Sequence, residues 1–179
     1  AGAGMTAKPQ YRIHQARPAD AALLPAVESS AGALFATVPG YEWIARSEGH
    51  SETAFRNYIA NGNAWVVADS QDQPAGFVLV SNLGTGLHID ELSVSAAHQR
   101  QGLGRQLIER VQNVAIARGC AAVTLTTFRD VAWNRPYYEH LGFEVCDVSR
   151  APALEAVMLK EAEYGLQFCD RCSMIYRIF

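Results

Sequence analysis

Short apolar runs alternate with helical patterns along this chain. The middle of the sequence holds three strand-like runs, at residues 64–69, 76–80 and 87–94, of which the first two are rich in Val, and clusters of turn-forming residues separate them. Runs of this length and composition predict β-strands. The turn residues at 70–74 and 84–86 join them closely, so the sequence predicts a meander of three antiparallel strands.

The pattern changes to helical spacing in the second half of the chain. Apolar positions from residue 102 onward recur every three or four residues until Gly119, which predicts a long helix. A strand at 122–127 follows, then a helix that Asp130 would cap, then a strand at 143–148. This order of strand, helix, strand, helix and strand predicts local parallel pairing.

The two ends of the chain complete the predicted set of elements. The helix near residue 20 is expected to use Asp20 as its N-cap, because a short acidic side chain can accept backbone N–H bonds. The further predictions are a strand at 11–15, a helix at 20–31, an irregular aromatic stretch at 32–49, a helix at 51–61, a helix at 152–165 and a last strand at 174–178.

Length and composition limit the domain organisation. The chain has 179 residues, of which 49% are hydrophobic, and this suits one compact α/β domain with a substantial core. The four residues before Met5 are interpreted as an expression scar, so residues 1–4 are set apart and a single domain is predicted over residues 5–179.

Charge and cysteine usage exclude several classes of protein. The net charge is −3 and no run of basic residues could follow a phosphate backbone, so no nucleic-acid partner is expected. No apolar run approaches the roughly 20 residues that cross a bilayer, so no membrane partner and a cytoplasmic location are expected. Cys169 and Cys172 have the spacing of half a zinc site, but a second ligand pair is missing, so no metal is expected.

The segment at residues 92–105 carries the strongest chemical signal. Gly102 and Gly104 stand one residue apart where a predicted strand passes into a predicted helix. Such glycines let the backbone approach an anion, and the helix N-terminus supplies free N–H groups, so the pattern predicts a pyrophosphate site. A Walker loop is disfavoured because no Gly-Lys-Ser/Thr follows, and a Rossmann fingerprint because the third glycine is missing.

The same segment resembles a known family signature. Gln99, Gly102 and Gly104 are similar to the pyrophosphate-binding motif of the GNAT superfamily of N-acetyltransferases, which has Gln or Arg, two residues, Gly, one residue, and Gly or Ala. Downstream, Tyr138, three residues and Gly142-Phe143 are similar to the superfamily's second motif. The resemblance covers residues 64–148, and the rest of the chain lies where these proteins vary.

The resemblance implies a fold and a cosubstrate. The GNAT fold is a mixed, strongly bent central sheet of about six or seven strands flanked by helices, splayed between the fourth and fifth strands, here 87–94 and 122–127. Acetyl-CoA would lie in the splay. Many relatives carry Asn where this chain has Val131, and Asn134 is the candidate replacement. The implied cofactor-binding residues are Leu92, Ser93, Val94, Gln99, Arg100, Gln101, Gly102, Leu103, Gly104, Arg105, Asn134 and Tyr138.

Acetyl transfer needs a proton donor, an oxyanion site and a base. The resemblance implies Tyr138 as the general acid for the leaving thiolate, and a backbone N–H near Leu92 as the oxyanion donor. An alkylammonium has a pKa of about 10, so a base must take its proton. His88 and Asp90 share one strand face and Glu91 takes the other; we rank the first two ahead of Glu91, although all three stay candidates.

The acceptor is expected to be the primary amine of a small molecule. Phe35, Tyr41 and Trp43 are predicted to line its site, together with the segment at 152–165. Nearby carboxylates would favour a cationic amine, and the candidates are Glu28, Glu42, Asp90 and Glu91. Alternatives that stay open are a protein or peptide N-acetyltransferase and a non-catalytic acyl-CoA sensor. A homodimer also stays open.

Overall fold

The computed structural model describes residues 10–131, 134–167 and 170–179. Two compact units are formed: the first holds the described residues up to Leu79 together with Leu92–Leu107, and the second holds Val80–Glu91 and the described residues of Ile108–Phe179. The single domain predicted over residues 5–179 stays a prediction.

The described residues form seven strands and six α-helices. The strands are β1 (Arg12–Gln15), β2 (Ala64–Ala68), β3 (Pro74–Leu83), β4 (Gly86–Val94), β5 (Ala122–Phe128), β6 (Glu144–Cys146) and β7 (Arg171–Arg177). The helices are α1 (Leu24–Gly32), α2 (Glu42–Ala45), α3 (Glu52–Ala60), α4 (Leu103–Ala117), α5 (Arg135–His140) and α6 (Pro152–Glu163).

The strands follow the order β1-β2-β3-β4-β5-β7-β6 in a seven-stranded sheet. Strands β4 and β5 are parallel, whereas β1 with β2, β2 with β3, β5 with β7 and β6 with β7 are antiparallel. The sheet is therefore mixed, with β4 and β5 parallel. A mixed sheet flanked by helices is the α/β architecture predicted from the sequence.

In the first unit, the core lies between β2, β3 and the helices α1 and α3. All five residues of β2 are buried, which explains why this strand has a continuous apolar run and no alternation. The rings of Phe55 and Phe77 meet edge to face with their centroids 5.1 Å apart. Ser51 caps α3, because its hydroxyl accepts the N–H of Ala54.

In the second unit, β7 lies between β5 and β6. It pairs with β5 over seven positions, from Ala122 opposite Arg177 to Phe128 opposite Arg171. The predicted parallel arrangement therefore holds for β4 and β5 but is wrong for β6, which pairs antiparallel with β7 alone among the described strands. Chain order misled the prediction because the last strand inserts between two earlier ones.

Two predicted helix caps are wrong. Asp20 lies inside a 3-10 turn at Pro18–Ala22, and its carboxylate accepts the N–H of Arg17, so it closes the turn from within. Asp130 does not begin a helix, because α5 starts at Arg135 and follows Asn134. Both aspartates precede an apolar pattern, and at Asp20 the chain makes a 3-10 turn before α1 begins.

Two further segments differ from their predicted form. The stretch predicted as irregular contains a 3-10 helix at Ala33–Thr37 and the single turn of α2. The last strand starts at Arg171, three residues before its predicted start at 174, because Arg171 and Cys172 are buried in the ladder with β5. In the part of the chain that the structure describes, we find no helix with the length and apolar character of a membrane span.

Candidate active site

A glycine-containing loop connects β4 to α4 in the first unit. This segment, residues 95–102, is called the glycine loop below. Arg100 has φ of 62° and Gly102 has φ of 73°, both in the left-handed region. Left-handed residues in a loop can turn neighbouring N–H groups toward one concave side, which suits an anion. Helix α4 follows at once, and the N–H groups of a helix's first turn have no acceptor within the helix, so this end of α4 suits an anion.

Side-chain contacts hold the glycine loop in place. The amide Nε2 of Gln99 donates to the carbonyl oxygen of Val94 over 2.6 Å. The hydroxyl of Tyr11 lies 2.9 Å from His98 Nδ1. Gln99, which the sequence marks as a cofactor-binding residue, thus anchors the loop to the end of β4 with its side chain.

The parallel pair β4 and β5 separates after two residue pairs. The ladder joins Leu87 to Val123 and His88 to Thr124, while β4 runs on for six residues to Val94. From Asp90 to Leu92 the strand is only half buried. The predicted splay is therefore confirmed, and it begins at His88.

The polar residues of β4 have distinct environments within the second unit. His88 is buried, with 5% of its surface exposed, and its Nδ1 lies 2.9 Å from the hydroxyl oxygen of Thr124. Burial lowers the pKa of His88 below its ordinary value; Asp90 and Glu161 oppose this shift, and Arg171 adds to it. The imidazole is therefore neutral at pH 7 and can accept a proton.

Asp90 and Glu91 are half buried, on opposite faces of β4. The carboxylate of Asp90 accepts a hydrogen bond of 2.8 Å from the hydroxyl of Ser81. Asp90 thus shares a strand face with His88, as the alternation predicts, while Glu91 lies on the other. The ranking of these three residues as bases stays a prediction.

Tyr138 lies on α5, in the second unit. Its ring packs against Tyr137 and Phe143, with centroids 5.4 and 6.0 Å away. The residue is half buried. Burial raises the pKa of Tyr138, the neighbouring Tyr137 and Glu91 raise it further, and Arg171 opposes the shift. The phenol therefore keeps its proton at neutral pH, which is the state that a general acid needs before the leaving group departs.

Asn134 precedes α5 and offers an unused donor. Its side-chain nitrogen Nδ2 is buried and has no hydrogen-bond partner among the described residues. A buried amide without a partner is costly, which favours a ligand contact. Val131, which stands at the family's usual Asn position, is an apolar residue with 8% of its surface exposed.

The predicted aromatic acceptor residues lie in the first unit. Phe35 is on the 3-10 helix, and Tyr41 and Trp43 are at the start of α2. Phe35 and Tyr41 are half buried, and Trp43 is 36% exposed. Of the predicted carboxylates in this unit, Glu42 accepts the N–H of Gly40, and Glu28 contacts His50 Nδ1 at 2.7 Å. Their role toward an acceptor stays a prediction.

The structure adds side chains that the sequence prediction missed. Thr124 contacts His88, while Thr126, Glu161 and Arg171 bond to one another where α6 covers β5 and β7. His88, Thr124, Thr126, Glu161 and Arg171 are together called the polar face below. The available signal was the two-residue spacing of Thr124 and Thr126, which places both on one face of β5.

A small cavity borders the polar face in the second unit. Its volume is about 200 Å³, and Thr124 forms part of its wall. The remaining lining comes from the β3–β4 turn, the start of β5, the start of α6 and β7, with Leu83, Gly84, Thr85, Gly86, Ala122, Ala151, Ala153, Leu154 and Ile175.

The cysteine pair of the sequence is only half described. Cys169 lies outside the described residues. Cys172 is buried in β7, and burial raises the pKa of its thiol. A raised pKa keeps the sulfur protonated, which disfavours metal ligation or nucleophilic attack by Cys172.

Comparison with known proteins gives a family and a fold. A family model described as "Acetyltransferase (GNAT) family" matches residues 35–143, more than half of the chain. The solved N-acetyltransferase PaiA of Thermoplasma acidophilum, in complex with coenzyme A, superposes with a TM-score of 0.73 at 14% identity, covering 94% of this chain and 99% of that one. The predicted fold is confirmed.

Two curated relatives match over shorter stretches. The peptidyl-lysine N-acetyltransferase YjaB of Salmonella typhimurium is 27% identical over 94 residues, which are 52% of this chain and 59% of the relative. YjaB of Escherichia coli is 33% identical over 64 residues, 36% of this chain and 41% of the relative. The matched part thus spans less than two thirds of either relative.

Proposed function

Because the chain belongs to the acetyltransferase (GNAT) family, we propose that it transfers the acetyl group of acetyl-CoA to a primary amine. The amine would attack directly in a ternary complex. The observation that carries this proposal is the separation of β4 from β5 after His88 and Thr124, on a strand that continues into the glycine loop. Such a splay leaves strand N–H groups available to a bound thioester.

The residues present suit coenzyme A. The backbone at Gln99 to Arg105 would hold the pyrophosphate, because Arg100 and Gly102 are left-handed and α4 begins beside them. Residues 92–94 of β4 would accept the pantetheine arm. The unpartnered Nδ2 of Asn134 supplies a further donor, which supports its use in place of Val131.

The side chains supply the proton transfers. Acetyl-CoA provides an activated acetyl thioester: the amine nitrogen bonds to the carbonyl carbon, and the bond from that carbon to sulfur breaks. The proton of the amine passes to a base, for which neutral His88 or the carboxylate of Asp90 is suited, with Glu91 as a third candidate. Tyr138 holds a proton at its hydroxyl for the departing thiolate. A backbone N–H near Leu92 would stabilise the developing oxyanion.

The acceptor is proposed to be a small-molecule amine, with a peptidyl lysine as the second candidate. The small-molecule candidate is supported by the cavity beside Thr124, whose volume of about 200 Å³ has room for a small amine but not for a folded peptide segment. The peptidyl-lysine candidate is supported by the two YjaB relatives, which are named for that activity. A third candidate is a sensor that binds acyl-CoA without catalysis, and the proton-bearing hydroxyl of Tyr138 weighs against it.

A panel of acceptors separates these candidates. Thiol release from acetyl-CoA would be followed with free amines, amino acids and lysine-containing peptides, each against a blank without acceptor. Release with free amines supports the first candidate, and release with peptides alone supports the second. Binding of coenzyme A without release from any acceptor would contradict the enzymatic proposal.

A further inference from the structure

A charged pair is buried beneath α6 in the second unit. Arg171, at the start of β7, has 8% of its surface exposed, and its Nη2 donates to Glu161 Oε2 over 2.9 Å. The hydroxyl oxygen of Thr126 lies 3.0 Å from Arg171 Nη2 and 2.8 Å from Glu161 Oε2. The guanidinium carbon lies 4.6 Å from the centroid of the Phe128 ring. The pair is therefore held by the hydroxyl of Thr126 and by the ring of Phe128.

One atom on each side of this pair is left unused. Arg171 Nε and Glu161 Oε1 are both buried and have no hydrogen-bond partner among the described residues. An arginine and a carboxylate often form two parallel bonds, but here a single Nη2 contact is made. A buried ion pair is stable only when its remaining donors and acceptors are also satisfied. Nε is a donor and Oε1 is an acceptor, so a ligand that carries both an acceptor and a donor would satisfy the two atoms together.

The chemistry of the two open atoms defines such a ligand. Arg171 Nε carries a proton and needs an acceptor, which a carboxylate supplies best. Glu161 Oε1 is a carboxylate oxygen and needs a donor, which an ammonium supplies best. The two atoms belong to groups already joined by a hydrogen bond. A ligand that satisfies both therefore carries its ammonium and its carboxylate close together.

The pair is near the residues proposed for catalysis. Thr126 follows Thr124 by two residues on β5, so both lie on one strand face, and Thr124 contacts His88. The charges of Glu161 and Arg171 both act on His88, and that of Arg171 also acts on Tyr138. A molecule bound at the pair would therefore place its amine close to Thr124 and His88.

We propose that Glu161 and Arg171 bind the acceptor, and that the acceptor is a free amino acid or a similar compound with a carboxylate beside the reacting amine. This rests on the proposed function, since it names the substrate class for that reaction. Arg171 Nε donates to the acceptor carboxylate, and Glu161 Oε1 accepts from its ammonium. A peptidyl lysine has no carboxylate beside its amine and cannot use Arg171 in this way.

The first arm of the test uses the unaltered protein. Rates of acetylation would be measured for free amino acids, their carboxamides and the matched amines without the carboxylate. A charge-assisted bond to the carboxylate predicts a kcat/KM about tenfold or more higher for the amino acids. Acetylation of all three classes at similar rates would overturn the inference but leave the proposed function intact. Acetylation of none of the panel and of no lysine peptide would contradict the proposed function itself.

The second arm uses variants and a binding measurement. Arg171→Lys removes Nε but keeps the charge, and calorimetry in the presence of coenzyme A would follow binding of the amino acid and of its matched amine. We expect the amino acid to bind about tenfold more weakly and the matched amine to bind as before. Equal loss for both ligands would indicate a structural role and overturn the inference.

Matched controls lie on the same two elements. Arg177→Lys alters an exposed arginine at the other end of β7, and Glu163→Gln alters an exposed glutamate on α6. Both controls should bind the amino acid as the unaltered protein does. Glu161→Gln replaces the ionised acceptor with an amide. It should weaken the binding of the amino acid and of the matched amine alike, because both ligands carry the ammonium. Unchanged binding of both ligands to Glu161→Gln would contradict the assigned contact.

Discussion

The glycine loop and the polar face use different parts of the polypeptide. The loop presents backbone N–H groups, with Arg100 and Gly102 in left-handed conformations and α4 starting directly afterwards. The polar face presents side chains from β4, β5, α6 and β7. A backbone site tolerates many side chains but depends on a few glycines, whereas a side-chain site depends on each of its residues.

This difference has a functional meaning. Every member of an acetyl-CoA family needs the same pyrophosphate contacts, so a backbone site suits a shared cosubstrate. Acceptors differ between such enzymes, and side chains on a fixed scaffold can vary with them. The following predictions test whether the two regions divide the work in this way, beginning with the largest effect.

Removal of the proton at Tyr138 should give the largest effect. Tyr138→Phe keeps the ring contacts with Tyr137 and Phe143 but deletes the hydroxyl. We expect kcat to fall about 100-fold, as for loss of a general acid, with little change in the affinity for coenzyme A. Tyr164→Phe, at an exposed tyrosine beyond α6, is the control. A kcat within twofold of the unaltered enzyme would make Tyr138 a packing residue.

A side chain at Gly102 should weaken the binding of coenzyme A. Gly102→Ala meets open space around the new Cβ, yet φ of +73° is strained for alanine. The loop would relax and displace its N–H groups, so we expect Kd for coenzyme A to rise about tenfold, by calorimetry. Gly119→Ala has φ of +74° and open space at the other end of α4, so it matches the strain away from the loop. Equal weakening in both variants would contradict a direct role for the loop.

The loop and the polar face also differ in how far the sequence predicts them. The glycine loop is a contiguous motif between a strand and a helix, and its position was predicted to within a residue or two. The contact between Glu161 and Arg171 depends on α6 folding over β7, and on β7 inserting between β5 and β6. Nothing local in the sequence indicates that insertion, so the predicted last strand begins at residue 174 and does not include Arg171.

The same limit explains the wrong caps. Asp20 and Asp130 have the residue type and position of N-caps, and local propensity favoured both. The structure instead uses Asp20 to accept the N–H of Arg17 within a 3-10 turn, and starts α5 at Arg135. Capping preference is worth about 1 kcal/mol, which tertiary packing of the neighbouring segments can outweigh.

Buried His88 should make stability depend on pH. Burial lowers its pKa below the ordinary value of 6.5, so the unfolded chain binds the proton more readily than the folded one. The stability that neutral, buried His88 contributes is therefore complete above pH 6.5. It is lost as the pH falls through the lower pKa that His88 has in the folded protein. We expect Tm to fall more steeply below pH 6.5 in the unaltered protein than in His88→Gln. His140→Gln, at an exposed histidine, should keep the original slope, and an unchanged slope in His88→Gln would contradict the assignment.

The smallest effect is expected from the support of Asp90. Ser81→Ala removes one hydrogen bond of 2.8 Å to the carboxylate, and a bond of this kind is worth about 1 kcal/mol. We expect KM for the best amine to rise about fivefold, with KM for acetyl-CoA unchanged. Ser149→Ala removes a similar bond to Asp147 on an exposed turn and serves as the control. A change confined to the KM for acetyl-CoA would place Asp90 away from the acceptor.

The proposed division of work can be tested in one calorimetric experiment. Gly102→Ala and Arg171→Lys would each be titrated first with coenzyme A and then with the amino acid that the unaltered enzyme acetylates best. The account predicts a crossed result: Gly102→Ala loses affinity for coenzyme A, and Arg171→Lys keeps that affinity but loses affinity for the amino acid. One contradicting result is that Arg171→Lys weakens the binding of coenzyme A and leaves the binding of the amino acid unchanged; another is that neither variant changes either affinity. Either result would contradict the proposal that the backbone binds the cosubstrate and the side chains bind the acceptor.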